Sequence, residues 1–121
     1  MNWTMLLVLA VLLTAFFVFN HSGLISIKDA RANLKKGALV IDVRSAGEFV
    51  AGHLPHAVNL PVNEIEANWS RRIKDKDRVL LLHCQSGLRS GEAKRKFLAL
   101  GCPNVFNMGS YARAARIVGG K

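Results

Sequence analysis

Not one aspartate, glutamate, lysine or arginine occurs before Lys28. That absence removes the first stretch of the chain from any reading as a solvated arm or a nucleic-acid contact. Cysteine occurs only twice, at Cys84 and Cys102. Two cysteines do not make the disulfide framework of a small secreted domain. A reduced compartment with one functional thiol is the simpler interpretation. There is no internal repeat and no low-complexity tract, so the chain is not built as an array.

All 17 basic and 8 acidic residues lie from Lys28 onward, within a chain of 121 residues carrying a formal net charge of +9. The excess of positive charge raises the question of nucleic-acid binding. The distribution argues against it. Arg71, Arg72, Lys74 and Lys76 alternate with Asp75 and Asp77, and no aromatic residues interleave with them. Attraction to an anionic membrane surface or to anionic substrates accounts for the charge without further features.

The uncharged leader reads as an anchor. Met5 to Phe19 is apolar except for Thr14, whose hydroxyl can bond back onto its own helix. With Trp3 and Thr4 the run reaches the lower end of what crosses a bilayer core, about 17 residues. Trp3 sits where an interfacial aromatic belongs. A cleaved signal peptide is the competing reading. It is disfavoured because no basic residue precedes the run and no small-x-small site follows it at Asn20 to Gly23. Lys28, Arg31, Lys35 and Lys36 follow the run, so the positive-inside tendency places the remainder in the cytoplasm. The expected organisation is a single-pass transmembrane anchor over residues 1–22 and one domain over 23–121.

Within that domain the punctuation is regular. Ser26-Ile27-Lys28-Asp29 has the form of a capping box and predicts a helix to about Lys36, stopped by Gly37. Ala38 to Val43 is a short β-branched apolar run, an interior strand. Ser45 to Glu48 is a second capping box, opening a short helix to about Gly52. Pro55 and Pro61 bracket a very short strand at Ala57 to Leu60. A helix over Asn63–Ile73, a strand over Val79–His83, a helix over Ser90–Leu100, a strand at Val105–Asn107 and a helix over Ser110–Val118 complete the series. Apolar strands alternating with helices predict an α/β fold, a parallel sheet covered on both faces. Such sheets place ligands at the carboxyl ends of their strands. Those ends are Asp42-Val43-Arg44 and His83-Cys84-Gln85-Ser86-Gly87, which puts both groups at one mouth.

The second of these segments carries the chemistry. A cysteine ends a buried strand, a turn with Gly87 follows, and Arg89 and Ser90 open a helix, Ser90 in the capping position. Free backbone amides in such a turn form an anion-binding nest. The helix N-terminus adds partial positive charge and Arg89 a full one. Cys84 in that field is expected to ionise readily to the nucleophilic thiolate. The plainer alternative is a buried structural cysteine, which the register of Gly87, Arg89 and Ser90 disfavours.

Cys84-Gln85-Ser86-Gly87-Leu88-Arg89-Ser90 resembles the C-x-x-G-x-R-S active-site loop of rhodanese-fold sulfurtransferases. Asp42-Val43-Arg44-Ser45 with Glu48-Phe49 is similar to the family's D-V-R … E-F/Y stretch. Gly52 to Pro61 is similar to its G-H-I-P-G-A-x-N-I-P stretch, and Gly101 to Val105 falls where the family has G-F-x-x-V. The resemblance runs from about Ile25 to Ile117. Two departures stand out: His56 replaces a glycine, and Gly109-Ser110-Tyr111 replaces a G-G … W ending. The family shares its fold with cysteine phosphatases of the C-x5-R kind, whose loop is one residue longer. The four residues between Cys84 and Arg89 suit a sulfane sulfur better than a phosphoryl group, and no acid is available for assignment as a proton donor.

The resemblance implies a ping-pong sulfur transfer. Cys84 takes the sulfane sulfur of thiosulfate or another persulfide donor, and loop groups from Gln85, Ser86, Gly87, Leu88 and Arg89 hold it. An acceptor thiol, or cyanide in an assay, then removes it. Asp42, Arg44 and Ser90 are expected to support the loop, and no metal or organic cofactor is implied. Two alternatives remain. One is a membrane-tethered sulfur carrier with little turnover. The other, disfavoured by loop length, is a phosphatase or arsenate reductase. His83 is expected to be structural, because neighbouring strand side chains point to opposite faces. Glu48 reads as a helix cap before a pocket residue. Cys102 and Trp69 read as packing residues, and His53 and His56 have no metal-ligand spacing.

Overall fold

Ser26 accepts a hydrogen bond from the Asp29 amide at 3.1 Å and starts a helix, and from there elements follow the expected order. The computed structural model describes residues 2–21 and 23–120, with the side chains of 17–21 left undescribed. The first helix is α1 (Trp3–His21). Then come α2 (Ile27–Lys35), β1 (Leu39–Asp42), α3 (Ala46–Ala51), β2 (Val58–Asn59), a 3-10 turn at Val62–Glu64 and α4 (Ile65–Arg72). The series closes with β3 (Leu80–His83), α5 (Leu88–Ala99), β4 (Val105–Gly109) and α6 (Tyr111–Gly119).

The four strands form one sheet in the order β2-β1-β3-β4, parallel at every pairing. Period-2 alternation along the strands divides the interior into two cores. Ile41, Leu80, Leu82 and Val105 face α4 and α5, where they pack with Ile65, Ile73, Ala93 and the fully buried Phe97. Val40, Leu81 and Met108 face α2 and α6 and pack with Ala30, Ala114 and Ile117. Burying each such aliphatic or aromatic side chain stabilises the fold by roughly 1.5–3 kcal/mol before entropy is counted. Helices on both faces explain why these strands read as continuous apolar runs.

The starts of two helices differ from the sequence reading, and β4 runs past its expected end at Asn107 to Gly109. α4 is shorter than Asn63–Ile73 because Pro61 leads into a 3-10 turn before α-helical geometry starts at Ile65. α5 starts at Leu88, with Gly87 as its N-cap in the left-handed region (φ +99°) and no capping side chain. Ser90, expected to cap this helix, is its third residue instead, because the turn closes two residues earlier than the serine pattern indicates.

β4 pairs with β3 through an irregularity: Leu82 is opposite Asn107, but His83 is opposite Gly109. A bulge of this kind re-aims neighbouring side chains, here at the mouth of the sheet. The chain entering the domain is stitched to the same strand. Leu24 forms a parallel bridge with Asn107, the Ile25 amide donates to the Asn107 carbonyl at 3.0 Å, and Arg113 donates to the carbonyls of Ile25 (2.6 Å) and Met108 (2.8 Å).

α1 exposes Trp3, Leu7, Val11 and Phe16, and Thr14 Oγ1 donates back to the Ala10 carbonyl at 2.8 Å. Among the described residues, no helix is long and apolar enough to cross a membrane. The expected transmembrane helix is therefore not found there. The side chains with which that run was to continue, Phe17 to Phe19, lie outside the described residues, as do the His21 side chain and all of Met1, Ser22 and Lys121.

Candidate active site

Cys84 follows β3 directly and shares the side-chain parity of Leu80 and Leu82, which turns its thiol toward the α5 side of the sheet. It is buried. The turn after it is held from two directions. The Cys84 amide donates to the Gly109 carbonyl at 3.2 Å, and the Tyr111 amide to the Gln85 carbonyl at 3.3 Å. Ser86 bridges to Ser110. Gly87 lies so close to the β4 end that a Cβ there would meet Gly109 Cα at 3.3 Å. Glycine is required at this position by both its φ and its surroundings.

Three groups able to donate lie within 3.5 Å of the sulfur. The Gly87 amide lies 2.9 Å from Cys84 Sγ, the Ser90 amide 3.4 Å and the Ser90 hydroxyl 3.5 Å. Burial pushes the thiol up, but hydrogen bonds from the Ser90 hydroxyl, the Ser90 amide and the Gly87 and Ser86 amides outweigh it. The Cys84 thiol is thus held below its ordinary pKa. The Leu88 amide turns to Ser86 Oγ at 3.4 Å and not to the sulfur. Gln85 and Leu88 are exposed on the rim.

Arg89 does not present a bare charge. Its guanidinium donates to both oxygens of Glu48, at 2.7 and 3.0 Å. Glu48 also completes the capping box of α3: the Glu48 amide donates to Ser45 Oγ at 3.2 Å and the Ser45 amide to Glu48 Oε1 at 3.2 Å. The Arg89 bonds, then the Ser45 amide, hold the Glu48 carboxyl down at about 2. One carboxylate thus both caps α3 and clamps it to the start of α5.

Behind the loop, on the other face of the sheet, lies a second polar group. Asp42 is fully buried and accepts from Arg44 Nη2 at 2.7 Å, Arg44 Nε at 3.0 Å and the Arg44 amide at 2.9 Å. Arg44 Nη2 also donates to the Gly52 carbonyl at 2.7 Å, and its guanidinium lies 4.7 Å from the centroid of Tyr111. Tyr111 meets His83 edge to face, with centroids 5.6 Å apart. His83 is fully buried, and its Nε2, 3.8 Å from Asp42 Oδ2, is without a hydrogen-bond partner among the described residues. Burial pushes His83 below its ordinary pKa, against the opposing pull of Asp42. His83 points away from the sulfur, as strand parity requires. Asn59 Nδ2 ties the ends together by donating to the carbonyls of Asp42 and Arg44, both at 3.0 Å.

Two residues of this site were missed in the sequence. Asn107 Oδ1 accepts from Ser90 Oγ at 2.7 Å and from the Gly109 amide at 2.8 Å. Tyr111 forms a wall beside Arg44. A polar residue in an otherwise apolar strand was the available signal for Asn107. Cys102 is buried in the α4–α5 core, where burial raises its thiol, and Trp69 packs on the same core with Lys76 over its ring at 5.4 Å. A groove of about 420 Å³ beside α4, lined by Asn59, Glu64, Asn68 and Arg71, contains no residue of the cysteine loop. Among the described residues no cluster of His, Cys, Asp or Glu could hold a metal ion.

Residues 26–113 match the family model of the rhodanese-like domain. The chain belongs to the rhodanese-like domain family. It is 30% identical over 69 residues to the thiosulfate sulfurtransferase PspE of Escherichia coli, covering 57% of this chain and 66% of PspE. It is 32% identical over 105 residues to the human thiosulfate:glutathione sulfurtransferase, covering 76% of this chain and 89% of that protein. A solved human single-domain sulfurtransferase superposes with a TM-score of 0.65 at 29% identity, over 76% of this chain and 94% of that one. The chain spans slightly under two thirds of the length of several bacterial relatives it matches. The α/β rhodanese-like fold with its parallel sheet is thereby shown, together with kinship to proteins named as sulfurtransferases.

Proposed function

We propose that this rhodanese-like chain moves a sulfane sulfur from a donor such as thiosulfate to a thiol or cyanide acceptor through a persulfide on Cys84. One observation carries the reading: the Gly87 amide lies 2.9 Å from Cys84 Sγ, with the Ser90 amide and hydroxyl converging on the same atom. Donors fixed around Sγ stabilise negative charge there, on the thiolate that attacks the donor and on the thiolate that leaves when the acceptor takes the sulfur. In the first half-reaction the Cys84 thiolate forms a bond to the sulfane sulfur, and sulfite leaves with the electrons of the broken S–S bond. In the second, an acceptor thiolate takes the outer sulfur and Cys84 leaves as thiolate.

The carboxylates nearest the mouth support this over phosphoryl chemistry. Glu48 is engaged by Arg89 and Asp42 by Arg44, so neither stands free as a proton donor. The test is thiocyanate production from thiosulfate and cyanide by the full chain in detergent, beside Cys84→Ser. Turnover that falls about a thousandfold or more in Cys84→Ser is expected. Turnover equal in both proteins would refute the reading, whereas sulfur loading without turnover would leave a carrier that hands sulfur to a specific acceptor.

We also propose that the N-terminal helix holds this domain at a membrane, with the domain in the cytoplasm. Exposed apolar side chains from Trp3 to Phe16, and basic residues only after them, support this. Recovery of the full chain with membranes after an alkaline wash is the expected result. Recovery in the soluble fraction contradicts it.

A further inference from the structure

Ser90 has one hydroxyl proton and three acceptors within reach. Asn107 Oδ1 is at 2.7 Å, the Gly87 carbonyl at 3.1 Å and Cys84 Sγ at 3.5 Å. The hydroxyl can donate to only one of them at a time. The orientation of the Asn107 amide is settled by its neighbours. Oδ1 accepts from the Gly109 amide at 2.8 Å, and Nδ2 faces the Gly87 carbonyl at 3.4 Å. A flipped amide would place NH2 against an N–H donor and oxygen against a carbonyl. Asn107 is buried, so water does not offset such a mismatch. Oδ1 is therefore a fixed acceptor aimed at Ser90.

We propose that Asn107 is a positioning residue that decides where the Ser90 proton lies. While Cys84 is a thiol, Ser90 donates to Asn107 Oδ1, and its lone pairs face the sulfur and accept from S–H. When Cys84 gives its proton to the buffer and becomes a thiolate, the hydroxyl rotates and donates to Sγ. The Asn107 bond is given up in that rotation. Asn107 thus competes with the sulfur for one proton and favours the resting thiol. The inference rests on the Cys84 persulfide reading for its use in sulfur transfer, but its test is independent of sulfur chemistry.

The test is the rate of Cys84 alkylation by iodoacetamide against pH, followed by mass spectrometry of the Cys84 peptide in the full chain. Asn107→Leu removes the acceptor and frees the hydroxyl for the thiolate. The pH midpoint of alkylation then moves down, and alkylation below that midpoint becomes about three- to tenfold faster, one hydrogen bond's worth. Ser90→Ala moves the midpoint up, and adding Asn107→Leu to Ser90→Ala produces no further downward shift. A merely structural Asn107 would not show that dependence on Ser90. Asn107→Ala also removes the acceptor but does not overfill the site, should likewise move the midpoint down, and serves as the second variant if the leucine form fails to fold. A midpoint unchanged or raised in whichever of the two folds overturns the proposal. Absence of a persulfide with these shifts intact would refute the sulfur-transfer reading alone.

Discussion

The Arg89 guanidinium donates to both oxygens of Glu48, at 2.7 and 3.0 Å, so the cation beside the cysteine loop is already paired. The pair joins α3 to the first turn of α5, and those two elements carry the two most distinctive segments of the sequence. Freeing Arg89 changes the field at the sulfur. In Glu48→Gln the unpaired guanidinium should stabilise the Cys84 thiolate further, and alkylation of Cys84 below neutrality should become faster. An unchanged or slower rate contradicts that role for the pair.

The Glu48 carboxyl is held at about 2, so the pair resists acid. A carboxyl with a lowered folded pKa contributes stability that is complete above the unfolded value, 4.5 for this residue, and is lost as pH falls toward about 2. Chemical-shift titration of the Arg89 side chain should show the pair intact at neutrality and opening only below that unfolded value. Opening near neutrality would contradict this account.

His83 behaves with the opposite chemistry and the same direction of pH dependence. Its burial lowers the folded pKa below the ordinary value of 6.5, so the unfolded chain binds the proton first as pH falls. Stability should therefore fall as the solution is acidified through 6.5, and His83→Gln should flatten that decline in thermal melts. A wild-type melt independent of pH from 7 to 5 would count against a buried neutral imidazole, since the unperturbed group titrates at about 6.5.

Gly87→Ala meets two obstacles at once, a φ of +99° and a Cβ contact of 3.3 Å with the Gly109 backbone. The strain is about 1–3 kcal/mol. It should appear as a lower melting temperature together with an upward shift of the Cys84 alkylation midpoint, because the 2.9 Å amide donor moves with the residue. Loss of stability alone would separate the turn from the sulfur.

His56 is the converse case. It holds φ +63°, the one non-glycine with positive φ among the described residues, at the position where the resembled motif has glycine. The backbone shows that it carries strain. His56→Gly should raise stability by roughly 0.5–1 kcal/mol, read from denaturant midpoints. A decrease would mean that the imidazole makes up for the strain.

Much of the fold was legible because the strands are short apolar runs punctuated by Ser45, Pro55, Gly37 and Gly101, residues whose backbone demands are local. Cys84 and Gly87 stood out for the same reason. Boundaries failed where a nonlocal contact decided them. α5 begins at Leu88 because Gly87 packs on Gly109, a neighbour that only the folded sheet supplies. The partners of Asn107 and Tyr111 were illegible for a similar reason. The β3–β4 irregularity at Leu82 and His83 brings the end of β4 beneath the cysteine loop, and no spacing in the sequence encodes that register. The pairing of Arg89 with Glu48 joins residues separated by 41 positions and follows only from the sheet order.

The most direct measurement is the intact mass of the full chain after exposure to thiosulfate. A gain of one sulfur atom, absent in Cys84→Ser and removed by a thiol acceptor, is the predicted result. No gain in the wild-type protein, or an equal gain in Cys84→Ser, would contradict a Cys84 persulfide formed from thiosulfate.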